Sequence, residues 1–584
     1  MKNRNPYIML LLILVLVIAG LTWYQFQTGR SVHPEIGKSV TGEYSGSESC
    51  RQCHENFYRL WAPSHHGLAM QPFTKELFQE QLTPQGDSLA VGNFEFQVEF
   101  EGERGWVQER GLDGNKNYPI AHALGGKNVY YFLTPMDRGR LQVLPLAYDV
   151  HKKSWFDTAA SGIRHFRDLE ESPVGWKDPE YTFNTSCYGC HVSQFSRNYD
   201  LKTDTYDSTW GEPGINCEAC HGSAVEHVQV CLEAADGETP KDLKIDVIRP
   251  PKYTMKISSD ACASCHAKAS PLTESFKPGD VFFDHFDLGA LELPDYYPDG
   301  RDLGENYTYT QWLMSPCAQS GEMDCLYCHT SSGRFRFSDD APNNACMPCH
   351  SDKVEHVSEH SRHQEESAAS QCISCHMPKT EFARMKRSDH SMLPPTPSAT
   401  IAFGSPNACN NCHEDRNAAW ADRWVREWRE TDYQAPVLHR ASLIEAARKR
   451  DWDHLGEMLE YLEDKNREEV FAASLIRLIR PCNDDRKWSV LIRALEDPSP
   501  LVRASAAESL GDRLDGEAFE ALKIAVKDGS RLVRIRAAGS LGAVPGDLMD
   551  ASAAERHHAL RQYLLRLQCT GNERQGGAKP EKGV

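Results

Sequence analysis

Basic residues are in deficit: 64 lysines and arginines face 83 aspartates and glutamates, for a formal net charge of −19. Such a surface repels a phosphate backbone, which argues against nucleic acid and leaves basic redox proteins or simple solubility as the meaning of the charge. Long apolar runs are lacking too, with one exception. Tyr7 to Leu21 is apolar, preceded by Lys2 and Arg4 and closed by Trp23 and Tyr24. That is the charge order of a signal segment with the aromatic edge of a membrane anchor. No small-x-small cleavage site follows it, so residues 1–30 are expected to stay as an anchor in the cytoplasmic membrane, with the remainder in the periplasm or outside. Secretion after signal cleavage is the alternative. Spare cysteine is scarce as well. Four of the twenty, Cys231, Cys317, Cys482 and Cys569, stand outside any motif and are too scattered for a disulfide framework.

The other sixteen cysteines belong to one motif. Cys-x-x-Cys-His occurs eight times: Cys50, Cys53, His54; Cys187, Cys190, His191; Cys217, Cys220, His221; Cys262, Cys265, His266; Cys325, Cys328, His329; Cys346, Cys349, His350; Cys372, Cys375, His376; and Cys409, Cys412, His413. Composition alone gives about 0.03 copies in a chain of this length. At this spacing two sulfurs on one helical turn reach the two vinyl groups of a haem while the histidine turns its ring onto the iron. A zinc ribbon would pair two CxxC knuckles without a histidine after each, and a thioredoxin-type site would occur once. Eight covalently attached c-type haems are therefore expected. Their macrocycles add apolar core, so a hydrophobic fraction of 40% suffices for 584 residues in several domains.

Between the first and second motifs lies a long stretch with no haem signature, in which Phe94, Phe96, Val98 and Phe100 alternate with polar residues as in a strand. Val129 to Leu133 and Arg140 to Leu144 flank Asp137-Arg138-Gly139, whose glycine suits a hairpin loop. A small β element over 92–150 is expected inside a first unit at 31–170, and a seven-haem unit at 171–430. After Trp420 the pattern turns helical, and Val502, Arg503, Ala506, Ala507, Leu510 and Gly511 recur 31 residues later as Val533, Arg534, Ala537, Ala538, Leu541 and Gly542. That period, with turns at Asp497-Pro498 and Asp528-Gly529, is a HEAT-like solenoid over 431–570, followed by a disordered tail at 571–584. The expected fold is a mainly α multihaem cytochrome with a small β element near its N-terminus and an α-solenoid behind it. The solenoid either offers a protein-docking face or serves to cap the haem region or pair subunits.

The chain resembles a family of multihaem c-type cytochromes that carry tetratricopeptide or HEAT repeats behind the haem region. The resemblance spans Cys50 to Trp420 and rests on Trp61-Ala62-Pro63-Ser64-His65-His66, Gly139-Arg140-Leu141-Gln142-Val143-Leu144-Pro145, Asn198-Tyr199-Asp200, Cys217-Glu218-Ala219-Cys220-His221-Gly222 with His227, and Ser388-Asp389-His390. Cys372-Ile373-Ser374-Cys375-His376-Met377-Pro378, with Asp389-His390 and then Cys409, is also similar to the end of pentahaem nitrite reductases and octahaem cytochromes. This second likeness implies a reductase, yet those enzymes carry CxxC-Lys at the catalytic haem and every motif here ends in histidine. The Gly-Pro-Gly usual after Cys-His-Gly in the repeat-bearing cytochrome family is absent too, with Ser223-Ala224-Val225 standing near there.

Function turns on what stands opposite each motif histidine. A second histidine makes a saturated electron carrier, whereas a vacant position admits a substrate. Candidate distal ligands are His65 or His66, His227, His285, His360, His363 and His390, then His122 and His165; His33, His151 and His439 rank last. Met70, Met314 and Met377 are expected to be packing rather than ligands. Cys317 occupies the place in Trp312-Leu313-Met314-Ser315-Pro316-Cys317 that a histidine takes near the first motif. The leading expectation is an electron-transfer cytochrome between a membrane quinol-linked donor, or another redox protein, and an outer acceptor. The alternatives are a reductase of nitrite, hydroxylamine or a sulfur oxyanion such as tetrathionate, and a docking scaffold whose repeats bind a protein partner in a respiratory complex.

Overall fold

The computed structural model describes residues 43–112, 114–162, 173–234, 238–247, 251–305, 307–337 and 340–542. The N-terminal apolar run, His33, His165, Cys569 and the C-terminal tail lie outside these residues. Among the described residues no helix is long and apolar enough to cross a membrane.

The β element is larger than the alternation suggested. Leu89–Val91, Phe94–Glu101, Arg104–Gly111 and Gly114–Pro119 form a four-stranded antiparallel meander. A five-stranded antiparallel sheet orders Met70–Pro72, His122–Gly125, Val129–Pro135, Leu141–Asp149 and Ser154–Asp157. The hairpin expected at Asp137-Arg138-Gly139 forms there: Gly139 takes φ +72°, and a Cβ on it would strike the Tyr206 carbonyl. Leu141–Asp149 is buried at every position, because Leu144, Leu146 and Tyr148 pack in one core with Phe132, while Leu141 and Val143 on the other face meet Phe183 and Trp210. A strand covered on both faces loses the period of two, so alternation alone understated this region.

From the second motif onward the chain runs in short helices and turns. The motifs sit on single helical turns, among them Tyr188–His191, Glu218–His221, Cys325–Cys328 and Cys372–His376, or at the end of Met255–His266. His54 and His350 leave helical geometry within longer helices, at φ −116° and −127°. Such a break rotates the ring away from the helix surface.

Among the described residues seven helices build the solenoid: Gln434–Arg448, Leu455–Glu463, Glu469–Leu478, Arg486–Ala494, Pro500–Leu510, Gly516–Ala525 and Arg531–Ser540. The repeated positions explain themselves. Val502, Ala506, Ala507 and Leu510, like Val533, Ala537, Ala538 and Leu541, are buried between neighbouring helices, where only small side chains allow close approach. Arg503 and Arg534 each turn back onto the carbonyls of the preceding turn, Asp497 and Pro498 for one, Asp528 and Gly529 for the other. These contacts satisfy acceptors at the helix start of each repeat.

The solenoid is not a separate body. Its core is continuous with Ala263, Leu272, Phe282, Phe283, Leu291, Tyr296, Tyr309, Trp312 and Met314 of the haem region. Apart from the short strand Phe286–Leu288 the stretch at 284–302 is irregular, and arginines of the repeats donate to its carbonyls. Arg448 donates to the carbonyls of Leu291 at 2.6 Å and Tyr296 at 2.8 Å. Arg477 donates to Leu288 O at 2.9 Å and Asp287 at 3.1 Å and pairs with Glu292, while Arg536 pairs with Asp287 from the next repeat. This packing is what a cap on the haem region requires.

Candidate haem-binding array

The short helices surround a continuous cavity of about 2800 Å³, lined by the motif residues Cys187 to His191, Cys220, His221, Cys262, Cys265, His266, Cys325, Cys328, His329, Cys346, Cys349 and His350. A pocket for one organic ligand holds roughly 300–1000 Å³, so this space is sized for several.

Opposite the motif histidines stand other histidines. A ligating imidazole nitrogen lies about 2 Å from its metal and about 1 Å from its own ring centre, so two rings on one ion have centres about 6 Å apart. Five pairs meet that condition: His54 with His227 at 6.4 Å, His266 with His66 at 6.2 Å, His329 with His390 at 6.4 Å, His376 with His360 at 6.3 Å, and His413 with His363 at 6.2 Å. Rings packed on each other directly would be closer; these keep the separation of a shared iron. The residues present thus fit covalent c-type haem.

A second feature agrees. A metal-ligating histidine commonly gives its other ring N–H to a carbonyl, which fixes the tautomer and aims the free nitrogen at the metal. Nδ1 lies 2.9 Å from Ser331 O in His66, 2.5 Å from Ala69 O in His191, 2.8 Å from Asp246 O in His221, 2.7 Å from Leu243 O in His227 and 2.9 Å from Ser388 O in His390. His363 and His376 do the same through Ser361 O at 2.7 Å and Met392 O at 3.2 Å. Burial lowers the affinity of several rings for protons, which keeps them neutral and able to ligate. His266 falls to about 4 through burial and the nearby His66, and His360 to about 4 through burial, Arg429 and His376.

Local backbone explains how close neighbours serve different sites. His360 and His363 would share one face of a continuing helix, but Arg362 ends Val357–Ser361 in the left-handed region at φ 62°, so His360 faces His376 and His363 faces His413. In the adjacent pair, His66 reaches His266, whereas His65 is half-buried near Lys127 and Arg387.

Other expected ligands are placed differently. His122 lies in the five-stranded sheet, edge-on to Trp210 at 5.6 Å, with its Nδ1 buried and without a partner; it faces no motif histidine. Its alternation in the strand carries it into the sheet core. His285 has Nδ1 2.8 Å from Ser275 O, the pattern of a ligand, while its Nε2 lies 3.2 Å from Asp280. His151 hydrogen-bonds Asn128 at the surface, and His439 is exposed. Met70 and Met314 are core residues, and Met377 lines the cavity. Cys317 is half-buried beside Cys346 and Cys349, where burial raises its thiol. It therefore neighbours the sixth motif rather than standing where His66 stands at the fourth.

The thiols also reveal an order in space. Cys50 meets Cys217, Cys220 lies near Cys262 and Cys265, Cys262 meets Cys325, Cys328 lies near Cys346, Cys346 meets Cys372, and Cys375 lies near Cys409 and Cys412. The motifs thus follow one another as first, third, fourth, fifth, sixth, seventh and eighth. The second joins at the fourth, where Cys190 Sγ is 3.4 Å from Cys265 O and Cys265 Sγ is 3.1 Å from Gly189 O.

Comparison with known families now bears on this geometry. Residues 149–222 match the family described as cytochrome c554 and c-prime, and residues 488–556 match HEAT repeats. One segment of the chain is thus similar to a c-type cytochrome family and another to HEAT repeats. Among solved structures the chain is similar to the outer cell wall cytochrome OcwA, at 16% identity over 80% of this chain and 100% of that one, with a TM-score of 0.46. No curated protein matches. The first match covers the second and third motifs of the chain together with the sheet strand Ser154–Asp157, and the second extends beyond the last described helix.

Proposed function

We propose that this protein is an exported octahaem electron carrier, in which all eight motifs are loaded and the array links an electron donor at the membrane to an acceptor beyond it. The observation that carries the reading is the unbroken contact of the motifs through their cysteines, combined with five facing histidine pairs. Haem, when bound, supplies a one-electron ferric/ferrous couple. The chain's own residues do the rest. His66, His227, His360, His363 and His390 would hold five haem irons opposite motif histidines, and the Nδ1 contacts of His66, His227, His363 and His390 hold those rings against rotation. The repeats wall one side of the array through Arg448, Arg477 and Arg536.

The apolar N-terminal run supports export, because covalent haem attachment takes place outside the cytoplasm in bacteria, and its aromatic edge supports anchoring. The acidic surface favours basic redox partners, with association that weakens as salt rises.

Mass spectrometry of the denatured protein tests the count. Thioether bonds survive acid extraction, so eight haem additions are expected on one chain. Fewer than seven would defeat the octahaem reading.

A further inference from the structure

The loop at 389–394 serves two sites at once. His390 brings its ring to face His329 of the fifth motif, and two residues on the Met392 carbonyl lies 3.2 Å from Nδ1 of His376, the motif histidine of the seventh. Met392 stands in the left-handed region at φ 53°, which turns the chain between the two contacts. The ring planes stand at 37° in the fifth pair, His329 with His390, and at 13° in the seventh, His376 with His360. One short stretch of backbone thus carries a ligand for one site and the orienting acceptor for another.

The hairpin of Lys379–Phe382 and Met385–Ser388 ends just before this loop, and the Asp389 amide still reaches Pro378 O at 3.0 Å. Beyond that point side chains hold the loop. Arg301 pairs with Asp389 at one end and donates to Pro394 O at 3.4 Å at the other. Asp389 Oδ1 accepts from the Ser391 amide at 2.7 Å, and the His390 amide donates to Gln311 Oε1 at 3.0 Å. Arg301, Asp389 and Gln311 are 4%, 2% and 0% exposed, so water cannot stand in for these contacts. Gln311 Nε2 is buried without a partner, so what the glutamine supplies is the acceptor for the ligand-bearing residue. Asp299, also buried, holds the arginine from behind: it accepts from the Arg301 amide at 3.3 Å and from Ser405 Oγ at 2.7 Å.

We infer that Arg301 and Gln311 are positioning residues for electron transfer: through one loop they set His390 over the fifth haem and the Met392 carbonyl on His376 of the seventh. The inference rests on the proposed loading of the fifth and seventh motifs. Two physical effects follow. The angle between facing imidazole planes governs the ferric low-spin signal, and a carbonyl on Nδ1 makes the ligating nitrogen more basic, which stabilises the ferric state and lowers the potential. The clamp also leans on the repeats, since Gln311 lies on the helix Thr308–Met314, whose Tyr309, Trp312 and Met314 belong to the core shared with them.

The test uses the purified full-length protein with its haems attached, read by electron paramagnetic resonance and by redox titration of the visible bands. Peptide mapping by mass spectrometry comes first, and absence of haem from the Cys325 or Cys372 peptide would defeat the octahaem reading and this inference together. His390→Ala and His360→Ala identify the fifth and seventh signals, as each should convert one haem from low to high spin. Arg301→Lys keeps the buried positive charge, but a single ammonium cannot bridge Asp389 and Pro394 as the guanidinium does. It should displace both of those low-spin signals, raise the seventh potential by withdrawing the Met392 carbonyl, and leave the other low-spin signals in place. Gln311→Met removes one neutral hydrogen bond and serves if the lysine variant does not fold; it should displace the fifth signal alone. Eight haems with the fifth and seventh signals and potentials unchanged in the folded variants would overturn the inference while leaving the octahaem reading intact. So would a low-spin spectrum indifferent to His390→Ala, a displacement of every low-spin signal alike, which is what general loosening gives, or one confined to haems other than the fifth and seventh.

Discussion

Arg477 is where the stability of the repeats and of the haem region can be weighed together. It lies in the helix Glu469–Leu478, and its guanidinium reaches Ser505 Oγ at 2.9 Å, Leu288 O at 2.9 Å and Asp287 at 3.1 Å besides Glu292. Burial would depress its proton affinity, but Glu292 and Asp287 more than offset that, so it stays charged throughout the working pH range. Arg477→Met keeps the apolar stem and removes every donor. Asp287 would retain Arg536, whereas Glu292 would keep only the Ala290 amide at 3.3 Å, its second oxygen being buried without a partner already. Stranding a buried carboxylate costs about 3–5 kcal/mol, and the lost bond to the Leu288 carbonyl adds about 1 kcal/mol. A loss of about 4–6 kcal/mol would be a large share of the roughly 5–15 kcal/mol that holds a domain folded. Denaturant unfolding of the haem-loaded protein, followed at once by the Soret band and by far-ultraviolet circular dichroism, measures it. Arg480→Met is the control, because Arg480 pairs with Asp512 and Glu508 on the exposed face, where ion pairs contribute about 0–1 kcal/mol. Since one core runs through both parts, the two signals should shift together. A loss below about 1 kcal/mol, or a helical transition that moves while the Soret transition does not, would refute the claim that the repeats and the haem region are one cooperative unit.

Two further predictions concern single side chains. Asp302 is buried with neither carboxylate oxygen hydrogen-bonded, and burial, reinforced by Asp389, raises its pKa well above the usual carboxylate range. The folded state therefore holds a proton that the unfolded chain releases, so stability should fall as pH rises from the ordinary carboxylate range to the raised value, by about 1.4 kcal/mol per unit of that interval. Asp302→Asn should flatten this slope and raise the melting temperature at pH 8 but not at pH 4; parallel curves for the two proteins would show that Asp302 is not the group responsible. His227→Ala should leave eight haems attached, since His54 and the first cysteines remain, and should convert one haem from low to high spin in the electron paramagnetic resonance spectrum. An unchanged spectrum would mean that another group, not His227, faces His54.

Much of this architecture is legible in the sequence because covalent haem attachment is a local code. Cys50 to His54 and its seven copies need only one helical turn each, so spacing reveals them without any knowledge of the fold. The solenoid is legible for a related reason: the repeat of Val502 and Ala506 as Val533 and Ala537 is a contact pattern between neighbours in sequence. The sheets are half legible, since Leu141–Asp149 is covered on both faces and shows no alternation, while Met70–Pro72 joins a strand more than fifty residues away.

The distal side of the array is the least legible part, for a physical reason. A distal histidine needs no fixed spacing from the motif it serves, only a loop that arrives at the right height above the iron. His66 comes to His266 across two hundred residues, and His227 comes to His54 from the helix after the third motif. The carbonyls that orient them, Ser331 and Leu243, belong to turns that carry no residue preference for the task. Histidine content therefore gives the supply of ligands but not their assignment, as His122 illustrates by going to the sheet core.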